Sequence, residues 1–230
     1  MTQETRQLSL PGLVQPEPKA PDLPKPKAPR KFGGLPDRLF FGIRLDAAAA
    51  YDATQVGMRI QSKHRLQSRL RRKDLLHVSL QVIGDFNGLP SGLVDRLAEA
   101  AASVGTGHFE ATFDRVMSIG TFIGLTGGEG LGGIRRLEQA VGAALEKGRI
   151  RGPSRRFNPH VTLMYDQTPI PTTRLPRPVR WKVEEFVLIH SRLTQSQHIV
   201  VRTFPLGGGA REVMPWQSPL PSTASRTATR

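Results

Sequence analysis

The sequence of 230 residues contains no cysteine, which excludes disulfide bonds and thiolate metal sites. Aromatic residues are few, at 6%, and hydrophobic residues make up 38%, so the chain can form a core of only modest size. No apolar run approaches the roughly 18 residues of a membrane-spanning helix. The first residues also lack the charged and apolar regions of a signal peptide. From these absences we expect a soluble, cytoplasmic protein without a membrane partner.

Acidic residues are scarce as well. The chain has 33 Lys and Arg but only 19 Asp and Glu, and its formal net charge is +14. Residues 1–36 carry six basic and three acidic residues and 208–230 carry three and one, so +9 of this charge belongs to 37–207. A basic folded domain attracts polyanions, which makes RNA, DNA or nucleotides candidate partners. The alternative is that the charge serves only solubility.

The two termini differ in composition from the rest of the chain. Residues 1–36 are rich in Pro, Lys and Ala and have few apolar side chains, which predicts a disordered arm. Residues 208–230 have the same character and predict a disordered tail. The folded domain is therefore expected to span 37–207. Whether the arm contacts RNA or is a passive solubilising segment stays open.

Between the termini, strand and helix patterns alternate. Strands are predicted at Arg38–Leu45, Leu75–Ile83, Phe109–Met117, Thr121–Leu125, Pro159–Tyr165, Val179–His190 and His198–Phe204. Helices are predicted at Ala47–Leu66, Pro90–Ser103 and Glu129–Lys147, with Asp46 and Ser91 as N-caps of the first two. Three helices are too few to connect an all-parallel sheet. The pattern therefore predicts an α+β protein with mostly antiparallel sheets.

A short phrase occurs twice, as His77-Val78-Ser79-Leu80 and as His160-Val161-Thr162-Leu163. Successive side chains on a β-strand point to opposite faces, so the histidine and the hydroxyl of each copy share one face. The valine and leucine then point into a core. Two related lobes that flank a cleft would bring two imidazoles and two hydroxyls together.

These four side chains suit proton transfer on a phosphate. Histidine has an unperturbed pKa of about 6.5 and can give or take a proton near neutral pH. Two opposed histidines can act as base and acid in one displacement, while hydroxyls donate hydrogen bonds to the phosphate oxygens. In the hydrolysis of a 2′,3′-cyclic phosphate on RNA, one imidazole would deprotonate water and the other would protonate the leaving ribose oxygen. No metal is needed for this chemistry.

Other site types find less support. The chain has no G-x-S-x-G elbow of a serine hydrolase and no H-x-H or H-E-x-x-H zinc motif. The glycine-rich segment 127–130 lacks the lysine and hydroxyl of a phosphate-binding loop, which favours a strand-to-helix turn. His190 and His198 could meet across the last hairpin, where a structural pair is the favoured interpretation.

Basic residues crowd the approach to the second motif. Arg155 and Arg156 lie just before His160, where they either form a solvated loop or bind the RNA backbone. Phe157 either packs under the motif strand or stacks on a base, and packing is favoured. We take Arg155, Arg156 and Phe157 as the candidate substrate-binding residues.

The motifs and their surroundings resemble the 2H phosphoesterase superfamily, most closely its bacterial branch of RNA 2′,3′-cyclic phosphodiesterases and 2′-5′ RNA ligases. The similar segments are RLFFGIRLDA, LLHVSLQVIGDF, RRFNPHVTLMYD and VEEFVLIHSRL, and the resemblance covers roughly residues 38–206. It implies a bilobal fold with two pseudo-symmetric lobes and an active-site cleft between them, without metal or cofactor. The implied catalytic residues are His77, Ser79, His160 and Thr162. The chain departs from the pattern in its unusually basic segment QSRLRRKDLLH, and in His198, where the family often has a tyrosine.

We therefore expect a monomeric, metal-independent phosphodiesterase that opens RNA 2′,3′-cyclic phosphates to 2′-phosphates. Weak 2′-5′ ligation would be its reverse reaction. The residues alone do not assign the two histidines, although we prefer His160 as base and His77 as acid. Two alternatives stay open: the same chemistry on a small cyclic or 2′-5′-linked nucleotide, and a non-catalytic basic RNA-binding module.

Overall fold

The structure is a computed structural model that describes residues 35–153 and 156–207. Within these ranges the strands are β1 (Asp37–Arg44), β2 (His77–Phe86), β3 (Phe109–Ile119), β4 (Phe122–Thr126), β5 (Val161–Met164), β6 (Thr173–Val183), β7 (Glu185–Arg192) and β8 (Gln197–Pro205). The α-helices are α1 (Ala47–His64), α2 (Leu93–Ala102) and α3 (Gly132–Lys147). The predicted arm up to residue 34 and the predicted tail from 208 lie outside the described residues.

The strands form two four-stranded antiparallel sheets. The first sheet has the order β2-β1-β7-β8, and the second has the order β5-β4-β3-β6. Each sheet carries one histidine motif on or beside an edge strand, β2 in the first sheet and β5 in the second. The predicted α+β fold with two lobes and mostly antiparallel sheets is confirmed.

Local sequence explains where the helices begin. The Asp46 carboxylate accepts a hydrogen bond of 2.7 Å from the Ala49 amide, so the predicted N-cap of α1 is confirmed. The predicted Ser91 cap of α2 is wrong. The cap residue is Gly92, whose φ of 69° lies in the left-handed region, and none of the described side chains caps this helix. Among the described residues, no helix has the length and apolar character to cross a membrane.

Two strand predictions also need correction. The predicted strand Val179–His190 is two strands, β6 and β7, which are separated at Glu184, where the chain turns from one sheet to the other. The first half of β6 was not predicted because Pro176 and Pro178 interrupt its pattern. Proline is tolerated on an edge strand, since one side of such a strand needs no amide donors. β6 is the edge of the second sheet.

The helices join the two sheets into one core. α1 connects two strands of the first sheet but packs on β5 and β6 of the second, and α3 connects two strands of the second sheet but packs on β2 as well as β3. A single buried hydrophobic cluster accordingly contains residues from both sheets and all three helices. Because each of these two helices packs on the sheet whose strands it does not connect, the edge strands β2 and β5 are held close to each other.

Candidate active site

The two motif strands are linked by backbone contacts. β2 and β5 are in contact, and the segment that precedes β2 pairs with β5 directly. Leu70 forms an isolated antiparallel bridge with Met164, and the Arg71 amide donates to the Leu163 carbonyl at 2.8 Å. The histidine motifs of the two sheets therefore lie on neighbouring edges.

The two histidines are held in the same way. The Nδ1–H of His77 donates to the Leu75 carbonyl at 2.8 Å, and the Nδ1–H of His160 donates to the Asn158 carbonyl at 2.7 Å. A carbonyl can only accept, so in each neutral ring the proton resides on Nδ1. The Nε2 atom of each ring is then the nitrogen that can accept a proton from a substrate or a water.

The hydroxyl of each motif follows the strand pattern predicted from the sequence. Ser79 and Thr162 are partly buried, whereas the valine and leucine beside them are fully or almost fully buried. The alternation places Ser79 on the same face of β2 as His77. Thr162 has the same relation to His160, which immediately precedes β5. The structure thus presents one imidazole and one hydroxyl from each sheet.

A second repeat supports the histidines, and sequence reasoning missed it. Phe40 and Gly42 on β1 correspond to Phe122 and Gly124 on β4. The Phe40 and His77 ring centroids are 5.0 Å apart, and those of Phe122 and His160 are 4.8 Å apart. Each glycine pairs with the hydroxyl residue of the adjacent motif, Gly42 with Ser79 and Gly124 with Thr162. The signal that could have revealed this support is the repeated phrase F-x-G followed by isoleucine or leucine.

The two glycines allow a close approach of neighbouring strands. A Cβ atom at position 42 would lie 2.8 Å from the Val78 carbonyl oxygen, and one at position 124 would lie 2.9 Å from the Val161 carbonyl oxygen. Both oxygens belong to residues directly after the histidines. A side chain at either position would therefore push the motif strand away from its neighbour.

We expect Gly42→Ala and Gly124→Ala each to lower the free energy of unfolding by about 1–3 kcal/mol, because the added methyl group overpacks against backbone. Turnover should fall as well, since the displaced strand carries a histidine. Urea unfolding and steady-state kinetics measure both effects. Gly105→Ala is the matched control because a Cβ there meets no atom within 4 Å. Wild-type stability and turnover in Gly42→Ala would contradict the steric argument.

Burial keeps both histidines neutral near pH 7. It lowers the pKa of His77 to about 3, against the opposing effect of the Leu75 hydrogen bond, and Coulombic repulsion from Arg71 and from the protonated forms of His198 and His160 lowers it further. Burial also lowers the pKa of His160, again against the effect of its own carbonyl hydrogen bond. The repulsion from His160 places the second motif within electrostatic reach of His77.

A third histidine borders His77. The His198 ring meets the His77 ring edge-on, with 4.9 Å between centroids, and it also contacts Phe40. Burial lowers the pKa of His198 to about 4, with contributions from Arg71 and Arg44 in the same direction and from Asp74 in the opposite one. A small pocket beside the two rings is lined by Arg44, Asp74, Leu76, His77, Ile189, His198 and Val200.

The predicted pairing of His190 with His198 is wrong. His198 lies opposite Ser191 in the β7–β8 ladder, whereas His190 lies opposite Ile199. Residues directly opposite share a face of the sheet, so the two histidines point to different faces. His190 instead forms a hydrogen bond of 2.6 Å with Asp37 through Nε2.

The three candidate substrate-binding residues differ in where the structure places them. Arg155 lies outside the described residues, and Arg156 is exposed. Phe157 is partly buried and packs against the hydrophobic core, in agreement with the packing interpretation. A different guanidinium is found beside the site. Arg71 lies over the Tyr165 ring, 5.5 Å from its centroid, and donates to the Tyr165 hydroxyl at 3.2 Å.

The glycine-rich segment 127–130 forms a connection and not a phosphate-binding loop. It joins β4 to a short 3-10 helix, Glu129–Leu131, which leads into α3, so the predicted strand-to-helix turn is confirmed. In the part of the chain that the structure describes, no group of three or more His, Cys, Asp or Glu side chains could hold a metal ion.

Comparison with known proteins identifies relatives of this fold. The profile of the 2′-5′ RNA ligase superfamily matches residues 48–195. E. coli LigT complexed with 3′-AMP is similar with a TM-score of 0.63 and 20% identity over 75% of this chain and 99% of LigT. A protein of Thermus thermophilus is similar with a TM-score of 0.56 and 23% identity over 73% of this chain and 97% of its own. No curated protein sequence matches the chain. At these identities the solved structures show a shared two-lobed fold.

Proposed function

The chain belongs to the 2′-5′ RNA ligase superfamily, and from this premise we propose that it hydrolyses 2′,3′-cyclic phosphates at RNA ends to 2′-phosphates. One observation carries the proposal. His77 and His160, on neighbouring edges of two sheets, each donate Nδ1–H to a main-chain carbonyl and so leave Nε2 for proton transfer. Two such rings can act as the general acid and the general base in the hydrolysis of a phosphodiester.

In the proposed reaction His160 is the base and His77 is the acid. The Nε2 atom of His160 accepts a proton from water as the water oxygen forms a bond to phosphorus. The bond from phosphorus to the 3′ oxygen breaks, and protonated His77 transfers its Nε2 proton to that oxygen. His160 has then gained a proton and His77 has lost one, and exchange with solvent restores both. With an RNA 5′-hydroxyl in place of water, the same steps would join the 5′ oxygen to phosphorus and release the 3′ oxygen, which would give weak 2′-5′ ligation.

The lowered pKa values do not by themselves assign these roles. A ring of low pKa is always in the form that a base needs, but it attracts a proton weakly. As an acid the same ring is strong, but it is seldom protonated until a bound phosphate anion raises its pKa. Both histidines can therefore serve in either role, and the assignment needs a kinetic experiment.

Ser79 and Thr162 are proposed to bind the non-bridging phosphate oxygens. Their hydroxyls share the strand faces of the two histidines and can donate hydrogen bonds toward the same phosphorus. Negative charge grows on those oxygens as water adds, so donors fixed in position stabilise the transition state more than the ground state.

The proposal predicts that the protein converts an oligonucleotide with a 2′,3′-cyclic phosphate end to a 2′-phosphate, with an undiminished rate in EDTA. Chromatography against authentic 2′- and 3′-phosphate standards identifies the product, which mass alone cannot do. A 3′-phosphate product would overturn the assignment of the leaving oxygen. Binding without turnover would favour the non-catalytic RNA-binding alternative.

A further inference from the structure

A long stretch of the sequence before the first motif contains no acidic residue. Between Asp52 and Asp74 there are seven cationic side chains, namely Arg59, Lys63, Arg65, Arg69, Arg71, Arg72 and Lys73. We call residues 59–73 the basic segment. Its charges take no part in the proton transfers proposed above, so they require a separate explanation.

The basic segment runs between the two sheets beside the candidate active site. It begins in α1, which packs on β5 and β6 of the second sheet, and it ends in a 3-10 helix, Lys73–Leu75, which contacts β8 of the first sheet. Two residues later the chain reaches His77. The charge of Arg71 lowers the pKa of both His77 and His198, which places this end of the segment within electrostatic reach of the site.

Apolar side chains anchor the segment and leave Arg65 and Arg69 exposed. Leu66 is buried, with 6% of its surface exposed, and partly buried Leu70 packs against the core and bridges to Met164. Arg65 and Arg69, which directly precede these two leucines, are exposed. The segment therefore displays two guanidinium groups from an anchored backbone.

Hydrogen bonds fix the same backbone. The Gln61 side chain donates to the Ser68 carbonyl at 3.0 Å, and the Leu66 amide donates to the Gln61 carbonyl at 2.9 Å. At the far end the Arg71 amide is bound to β5 of the second sheet. Fixed positions reduce the conformational entropy that a charged surface loses when it binds a partner.

Most of the charges in the segment have no acidic partner within the described part of the chain. Arg72 pairs with Asp74, and the Lys73 ammonium lies 5.0 Å from the centroid of the exposed Tyr51 ring. Among residues 35–153 and 156–207, no salt bridge involves the other five cations of the segment. Such a surface attracts a polyanion. Because the segment leads directly into the first histidine motif, the polyanion is expected to be part of the substrate that enters the candidate site.

We propose that the basic segment binds the phosphate backbone of a single-stranded RNA whose cyclic end lies between His77 and His160. The inference rests on the proposed function for the identity of the polyanion, and it specifies a polymer as the substrate instead of a mononucleotide. Lys and Arg that neutralise backbone phosphates release condensed counterions, which gives affinity without base specificity. Arg65 and Arg69 are the side chains in which this contribution is expected to reside.

The test compares Arg65→Gln/Arg69→Gln with Arg177→Gln/Arg180→Gln, a control that removes two exposed arginines from β6, at the opposite edge of the second sheet from β5. The substrates are an RNA of about 12 nucleotides with a cyclic phosphate end and a 2′,3′-cyclic mononucleotide. For the RNA at low salt we expect KM to rise about 10-fold in the first variant, and the slope of log KM against log salt to fall by about 1.4. We expect kcat, and all parameters for the mononucleotide, to equal those of the wild type.

Equal KM values for the RNA in the wild type and Arg65→Gln/Arg69→Gln would overturn the inference. An equal rise in the control variant would also overturn it, because diffuse net charge would then account for the affinity. If the wild type hydrolyses neither substrate, the proposed function fails, but binding of RNA by the basic segment can still be tested. Fluorescence anisotropy with an RNA that ends in a 3′-hydroxyl measures the same affinity difference without turnover.

Discussion

Replacing either His77 or His160 with alanine is expected to reduce kcat/KM for a 2′,3′-cyclic phosphate by about 10²–10⁴-fold, the range for a positioned general acid or base. Each change removes one of the two Nε2 atoms that the main-chain hydrogen bonds orient. The kcat/KM of the double variant should be only slightly below that of the less active single variant, since acid and base act in one transition state. Steady-state kinetics with the cyclic substrate measures these losses.

The matched control is His108→Ala, which removes an exposed histidine outside the site and should leave kcat/KM unchanged. The pH profile supplies a second check. Because burial lowers the pKa of both motif histidines, the proposed base stays unprotonated as the pH falls through 6.5, and wild-type kcat/KM should persist below that pH. If kcat/KM were instead lost on acidification with a midpoint above pH 6.5, this result would contradict a buried histidine base.

The same two variants can assign the roles. An aryl phosphodiester with a p-nitrophenolate leaving group needs little protonation of the leaving oxygen. If His77 is the acid, His77→Ala should lose far less activity on this substrate than on the cyclic phosphate, whereas His160→Ala should lose activity on both. The opposite pattern would exchange the two roles and leave the acid–base mechanism in place.

Ser79→Ala and Thr162→Val are each expected to lower kcat by about 10²–10³-fold, as removal of a transition-state hydrogen-bond donor does. KM should change little, because the donor acts most strongly where charge develops on the phosphate. Both residues are partly buried beside fully buried neighbours, so the changes should leave the folded state intact. Circular dichroism and thermal unfolding verify this.

Conservative exchanges distinguish the hydroxyl from the rest of the side chain. Ser79→Thr and Thr162→Ser keep the donor and should retain most of kcat. If Thr162→Ser were as inactive as Thr162→Val, the methyl group and not the hydroxyl would be the important feature. Wild-type kcat in Ser79→Ala would remove this residue from the proposed phosphate site.

The four motif residues could be chosen from sequence because their geometry is local. The period of two along a strand determines that a histidine and a hydroxyl two positions apart share one face. The same kind of local pattern predicted the Asp46 cap and the turn before α3. Two local predictions were wrong because glycine or proline changed the backbone. They are the cap of α2, which is Gly92, and the extent of β6, which contains two prolines.

The surroundings of the histidines depend on contacts between distant segments, which no local pattern encodes. His198 reaches His77, and His190 reaches Asp37, because the ladder between β7 and β8 assigns them to opposite faces. The guanidinium of Arg71 lies beside the site because its backbone pairs with β5. Arg156, which is close to His160 in sequence, is exposed.

By itself, the sequence determined the α+β class with antiparallel sheets, the strand faces of the two motifs and the basic charge, whereas the two lobes were implied by its resemblance to a known superfamily. Periodicity, capping and composition act within a few residues or sum over the whole chain, so they can be obtained without coordinates. Only the tertiary structure decided how the motifs meet. The exchange of α1 and α3 between the sheets brings β2 and β5 together, and Gly42 and Gly124 allow the close strand approach beside each histidine. Packing across the chain, which depends on the shape of every buried side chain at once, determines both.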